Sequence, residues 1–240
     1  SGPLDGALAA AANEAAGNAP GEAAIEAPLG PCEVEARGDV VVSVDGAPPR
    51  RLRDGERLAF ASGERAVAYL AVAGGLDTPV VQGSRAVLVT AALGGRALRR
   101  GDVLPVGDRT ARAPRPPVRP PAPPPEPAPL LFVPGPHLDR FPPGALAHLA
   151  ATGFAVSALS NRVGVRLDGA PVPTGAGRLD LPSPMVRGAI EVTSDGTPIV
   201  LGPDHPVTGG YPVIGVLTLA AQGKLARLRP GQRVRLVPVG

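Results

Sequence analysis

Apolar residues fall mostly in runs of four to eight, closed by glycine-containing turns. Val40-Val41-Val42-Ser43-Val44 ends at Asp45-Gly46, a hairpin signal, and Ala66 to Ala73 forms an apolar run stopped by Gly74-Gly75. Ala86 to Thr90 has the same character. Later in the chain, strands are predicted over Leu130–Val133, Gly164–Leu167, Ala189–Thr193, Pro198–Leu201, Val213–Thr218 and Val234–Val237, with Asp168-Gly169 and Asp195-Gly196 as turns. Two stretches depart from this rhythm. Gly6 to Ala16 is alanine-rich, with Asp5 placed to cap it and Gly17 to end it. Pro142-Pro143 opens a short helix, about Gly144–Ala151, stopped by Gly153. Short strands at this spacing predict a mainly β fold of the sandwich or barrel kind.

Proline divides the pattern in two. Ten prolines fall in the 17-residue stretch Ala113–Pro129, which favours extended polyproline II and makes a semi-rigid spacer. The expected organisation is therefore 1–112, a linker at 113–129, and 130–240. A ligand for an SH3-like groove is the other use of such a run; its position between two patterned regions favours the spacer. The two parts share a weak repeat. Leu52-Arg53-Asp54-Gly55, Leu98-Arg99-Arg100-Gly101 and Leu228-Arg229-Pro230-Gly231 each precede an apolar strand, and Gly-Gly pairs at 74–75 and 209–210 each lead into Pro-Val. Two related β-barrel-like halves, or chance similarity in a glycine-rich chain, explain it.

Composition narrows the class. Gly and Pro number 32 each, a share at which disorder is a live alternative, but Leu, Ile, Val and Phe together exceed the roughly 20% floor of disordered chains. No apolar run is long enough for a membrane-spanning helix, and the first residues lack the basic and apolar regions of a secretory signal. Cys32 is the single cysteine, which excludes an intrachain disulfide and suits a cytoplasmic setting. Net charge is +3, with one lysine, Lys224, among 24 basic residues. With Trp absent and no long basic block, nucleic acid is not an expected partner.

No complete catalytic signature is present. The chain has no P-loop, no H-E-x-x-H and no G-x-S-x-G, and His137, His148 and His205 lack metal-ligand spacing, so no metal is expected. Four constellations remain. In Gly74-Gly75-Leu76-Asp77 with Gly83-Ser84-Arg85, glycine amides and Arg85 suit a carboxylate or phosphate; a strand-connecting loop with a surface arginine accounts for the same residues. In Gly135-Pro136-His137-Leu138-Asp139, His137 beside Asp139 suits an acid/base pair, or turn chemistry before a helix. Arg162, in the stretch Ser157–Gly164, suits an anion or simply fixes its loop. Gly202 to Pro212 gathers Asp204, His205, Thr208 and Tyr211 on glycine-rich backbone; a long turn between strands is the bland alternative.

Gly2-Pro3-Leu4-Asp5, Ala73-Gly74-Gly75-Leu76-Asp77 with Gly83-Ser84-Arg85, Gly135-Pro136-His137 and Thr208-Gly209-Gly210-Tyr211-Pro212 occur in that order. Together they resemble the biotin-dependent carboxyltransferase family that includes the C component of 5-oxoprolinase, KipA-type proteins and allophanate hydrolase subunit 2. The resemblance covers nearly the whole chain outside the proline spacer and implies two cyclophilin-like β-barrel halves with a few short helices. It implies a cytoplasmic hydrolase subunit, inactive alone, that works with a KipI-like B component and a LamB/YcsF-like A component of 5-oxoprolinase. The reaction implied opens 5-oxo-L-proline to glutamate with ATP, bound somewhere in the complex. Its candidate residues here are Asp204 and His137 for catalysis, with Arg85, Asp77, Arg162, Thr208 and Tyr211 for substrate or phosphate. A KipA-type regulator that sequesters its partner, and a urea-route carboxyltransferase subunit with biotin carried on another chain, are the alternatives; no biotin attachment site stands in this sequence. The chain departs from the pattern at Ala86-Val87, where Ser-Thr is usual, and at Pro206-Val207 and Glu191, where the family carries Gln, Thr and Gln.

Overall fold

The computed structural model describes residues 2–107, 121–175 and 177–239. The chain forms two compact units, Ser1–Ala122 and Pro123–Gly240. Residues 113–120 of the proline-rich run lie outside the described residues. Ala128 and Pro129, at the end of that run in the sequence reading, are the first residues of a strand.

The first unit contains α1 (Gly6–Ala15), β1 (Ile25–Pro28), β2 (Pro31–Glu35), β3 (Val40–Val44), β4 (Arg50–Leu52), β5 (Arg57–Ala61) and β6 (Val67–Val72). An antiparallel sheet runs β1-β6-β3-β4, and β2 with β5 makes a separate two-stranded ribbon. β6 is buried at every position because its alternating side chains serve two faces. Ala68, Leu70 and Val72 enter the core beside Val42, Leu52 and Phe60. Val67, Tyr69 and Ala71 meet Leu8, Ala9, Ala12 and Ala16 of the helix side. Alanine on that helix face lets α1 lie close to the sheet, and Asp5 caps it by accepting from the amides of Ala7 and Leu8.

The second unit contains β7 (Ala128–Pro134), α2 (Ala145–Ala151), β8 (Gly153–Val156), β9 (Gly164–Asp168), β10 (Ser183–Pro184), β11 (Ala189–Val192), β12 (Pro198–Leu201), β13 (Thr208–Gly209), β14 (Val213–Leu217), α3 (Leu219–Arg227) and β15 (Arg233–Pro238). Seven strands close into a barrel in the order β11-β12-β9-β8-β15-β7-β14, all pairings antiparallel except β15 with β7. Leu130, Phe132, Phe154, Leu167, Ile190, Ile214 and Leu236 are among the residues of its core. Gly215 makes room for Phe132: a Cβ there would stand 2.3 Å from the ring. Small β10 and β13 pair outside the barrel.

The mainly β class with short helices holds, and the closed barrel belongs to the second unit. Three local expectations change. Ala86–Thr90 is not a strand; Leu88 makes one isolated bridge to Leu93, and Val89–Ala91 is a 3-10 turn. Gly153 does not stop α2 as a left-handed cap; Thr152 already has extended backbone and Gly153 opens β8. α3 appears where no helix is expected. Gly223 obscures it, but Thr218 caps it by accepting from Ala221 N–H, and Ala221 and Leu225 bury one face.

The Leu-Arg-x-Gly repeat is a shared turn. In each copy the carbonyl of Arg53, Arg99 or Arg229 accepts from the amide three residues on, and the arginine's own N–H donates to the side chain of that residue, Glu56, Asp102 or Gln232. Gly55, Gly101 and Gly231 all have positive φ. The first and third copies also pair alike with a buried residue of the same unit, Ala36 and Val156. That agreement favours related halves over chance.

Candidate functional site

In the second unit, the turn after β12 is pressed against the turn before β9. Gly202 N–H donates to Val163 O at 2.8 Å and Asp204 N–H to Arg162 O at 3.1 Å. The approach is close enough that a Cβ on Gly202 would lie 2.2 Å from the Arg162 carbonyl oxygen. Arg162 then grips Asp204 with two donors, Nε to Oδ2 at 2.9 Å and Nη2 to Oδ1 at 3.1 Å. The Asp204 side chain is 4% exposed and that of Arg162 30%. Asn161 Oδ1 shapes the same turn by accepting from Val163 and Gly164 N–H. Both Asp204 oxygens thus accept from one guanidinium, which makes the carboxylate a brace between two loops. His205 turns away from this pair and has Nδ1 2.7 Å from Pro206 O.

A second group forms where β7 leaves the barrel. His137 Nδ1 accepts the Val213 N–H at 3.1 Å, so the neutral ring carries its hydrogen on Nε2. This is the partner of His137; the expected His137–Asp139 couple does not form, and Leu138–Arg140 is a 3-10 turn. Arg140 reaches Asp180 at 3.0 Å. Leu179 N–H donates to Gly210 O at 2.8 Å, and the Arg178 guanidinium lies 5.2 Å from the centre of the Tyr211 ring. Thr208 is exposed on β13, opposite Pro184. Val207 beside it is 83% exposed. The structure therefore places Arg162 with Asp204, and His137 and Tyr211 on either side of Pro212. Arg178 and the Arg140–Asp180 pair were missed by the sequence reading, because nothing in Arg178-Leu179 signals that it lies against Gly210-Tyr211.

The glycine pair of the first unit is not an open anion cradle. Gly74 N–H donates to Asn18 Oδ1 at 3.0 Å and Gly75 N–H to Val72 O at 2.9 Å. Gly75 O accepts from Gly107, and Leu76 bridges Val106. Both glycines have positive φ, which is what the tight turn requires. Val81-Gln82-Gly83-Ser84 forms a second tight turn with positive φ at both central residues. Beyond it Arg85 makes one bond, Nη2 to Asp77 Oδ1 at 2.8 Å; its side chain is 19% exposed and that of Asp77 57%.

Gly2-Pro3-Leu4-Asp5 is an anchor. Leu4 N–H donates to Glu26 Oε2, Asp5 N–H to the Tyr69 hydroxyl, and that hydroxyl donates to Glu26 Oε2 at 2.6 Å. Burial first, and the Glu26 charge second, push the Tyr69 hydroxyl far above the ordinary phenol range. Burial also raises the Asp45 carboxyl, against the opposing pull of Tyr69 N–H and Arg65. Glu191 on β11 is raised by burial too, with Arg166 pulling the other way. Among the described residues no cluster of His, Cys, Asp and Glu is arranged to hold a metal, and no helix is long and apolar enough to cross a membrane.

Comparison with known proteins gives these motifs a common frame. The profile of the carboxyltransferase domain, subdomains A and B, matches residues 1–238. The chain is 32% identical to the C component of 5-oxoprolinase from Escherichia coli over 244 residues, covering 94% of this chain and 78% of that protein. Among solved structures, TTHA0988 superposes with a TM-score of 0.84 at 31% identity; 99% of this chain matches 49% of that one, so the chain spans about half its length. The urea amidolyase of K. lactis superposes with a TM-score of 0.86 at 26% identity, over all of this chain and 17% of that one. Sequence and fold agree along the whole length, and the chain belongs to the carboxyltransferase family, spanning its subdomains A and B.

Proposed function

We propose that this chain is the carboxyltransferase-type subunit of an ATP-dependent amide hydrolase, opening 5-oxo-L-proline to glutamate together with partners of the KipI-like and LamB/YcsF-like kinds in the cytoplasm. The observation that carries this reading is the match to the C component of Escherichia coli 5-oxoprolinase over 94% of the chain. The site chemistry is compatible with a shared reaction. A lactam carbonyl is a poor electrophile, and ATP would supply its activation by phosphorylation of the carbonyl oxygen. The residues of this chain would then bind and orient the substrate and offset negative charge. Gly74 and Gly75 donate their amides inside the chain, which does not favour that loop as a phosphate cradle. The test is reconstitution. Glutamate formation from 5-oxo-L-proline and ATP by the three-component complex should fall to background when this chain is left out. Unchanged turnover without it would reject the proposal.

One observation favours a second reading, a KipA-type protein that binds a KipI-like partner without chemistry. Asp204 is committed to Arg162, and the positions that carry Gln and Thr elsewhere in the family are Pro206 and an exposed Val207. Tight binding of the partner, with inhibition of its activity and no glutamate produced, would establish that reading over the first. For a urea-route carboxyltransferase, urea- and biotin-dependent turnover with a biotin-bearing partner would be the corresponding sign.

A further inference from the structure

We propose that Arg178, stacked on Tyr211 above the Gly209-Gly210 backbone, is the seat for an oxyanion, carboxylate or phosphate, on a small-molecule ligand. Three segments of the second unit build this seat. The Gly177-Arg178-Leu179 backbone is tied to Gly210 through Leu179 N–H, at 2.8 Å. Arg140 holds the adjoining Asp180 at 3.0 Å, and the Arg140 carbonyl lies so near Gly175 that a Cβ there would stand 2.6 Å away. Gly210 leaves space for the guanidinium, because a Cβ on it would meet Arg178 Nη2 at 2.9 Å. Gly210 thus serves the arginine, with no need of positive φ, while Gly209 makes room for Met185.

Arg178 differs from its basic neighbours in what it touches. Arg162 grips Asp204 with two donors, and Arg140 meets the exposed Asp180 through Nη2. Arg178 makes its contact with the Tyr211 ring, and among the described residues no oxygen accepts from its guanidinium. Asp180, two residues away, is turned to Arg140 instead. A stacked guanidinium loses little further freedom when it binds. Its planar fork matches the two oxygens of a carboxylate or phosphate, where a lysine would offer a point charge. Next along the same strand entry, His137 is fixed by Val213 N–H with its other ring nitrogen left as a donor.

The inference deepens the proposed function, since 5-oxo-L-proline carries a carboxylate, but the oxyanion seat itself does not depend on that substrate. The test is a titration of the full chain, followed by NMR or calorimetry at low ionic strength, with 5-oxo-L-proline, acetate, inorganic phosphate and the uncharged lactam 2-pyrrolidinone. Variants are Arg178→Ala, Arg178→Lys and Tyr211→Leu, with Arg235→Ala, exposed on β15, as a charge control. At least one anion should bind, 2-pyrrolidinone should not, and Arg178→Ala should weaken anion binding about tenfold or more. Arg178→Lys should restore only part of the loss, and Tyr211→Leu should cost several-fold. Arg178-dependent binding of acetate or phosphate, with no binding of 5-oxo-L-proline, upholds the seat and removes the oxoproline reading. Absence of binding by all three anions, equal binding by wild type and Arg178→Ala, or an equal loss in Arg235→Ala would overturn the proposal.

Discussion

The Arg162–Asp204 pair in the second unit and the Arg85–Asp77 pair in the first use the same two side chains and are held in opposite ways. Asp204 is buried, gripped by two donors, and its backbone is fastened to the carbonyl of the very arginine that binds it. Asp77 is mostly exposed and meets one nitrogen of Arg85, whose own side chain is the more enclosed partner. A buried carboxylate bound by a fork gives direction and strength, whereas an exposed single bond is weakened by water and salt. The difference assigns the pairs different tasks. Arg162 and Asp204 hold two loops at one end of the barrel. Arg85 meets Asp77 through a single nitrogen at a mostly exposed carboxylate.

Removing the buried acid gives the largest expected effect. Asp204→Ala removes the buried carboxylate from the Arg162 fork and should lower stability by about 3 kcal/mol, the low end of the range for a broken buried pair because Arg162 is partly exposed. Urea unfolding should show a lower midpoint at an unchanged slope; a loss below about 1 kcal/mol would make this pair energetically like an ordinary surface one. Gly202→Ala comes next. Its new methyl would collide with the Arg162 carbonyl and force the two turns apart, at a cost of about 2 kcal/mol by the usual scale of overpacking. If Gly202→Ala unfolds at the wild-type midpoint, the close backbone crossing is not what positions Arg162. Asp77→Ala should cost under about 1 kcal/mol in the same assay. It should also strengthen phosphate or carboxylate binding wherever Arg85 contributes, since it removes the competing anion. A stability loss as large as that of Asp204→Ala would erase the contrast between the pairs.

These differences explain how much the sequence reveals. Barrel strands such as β12 and β14 are legible as nearly continuous apolar runs, and β3 of the first unit is legible because it ends on Asp45-Gly46, both at positive φ. Asp5 announces its helix by the capping position it occupies. β2 and β5 are harder to see, since their outward positions carry Glu33, Glu35 and Arg57 and only the inward alternation is apolar. α3 hides behind an internal glycine. At the candidate sites, residue types suggest anion chemistry, but partner choice is a property of long-range contact. Arg162 and Asp204 are 42 residues apart, and Arg140 and Asp180 are 40 apart. Nothing local states that Arg162 and Arg140 each face a distant carboxylate while Arg178 rests on an aromatic ring.

Glu191 supplies a third state of the same comparison: an acid that is half-buried and has an arginine near it but no fork upon it. It lies on β11 in register with Ile199, which is in turn in register with Arg166 on β9, so the charges are one strand apart on the barrel wall. Burial raises the Glu191 carboxyl above its ordinary value of 4.5, and Arg166 offsets only part of that shift. Because the folded-state value exceeds the unfolded one, the protonated acid favours the fold. That contribution is complete below about pH 4.5 and is lost as pH rises through the folded-state value. Glu191→Gln keeps the shape and cannot ionise, so it should be more stable than wild type near neutral pH by about half a kcal/mol, a small surface-scale gain. The gain should shrink to nothing in acid. Thermal unfolding of both proteins from pH 4 to pH 8 checks the sign: a variant that is less stable at pH 7 would show that Arg166 holds Glu191 as a true ion pair. The half-buried acid would then belong with Asp204, on the braced side of the contrast.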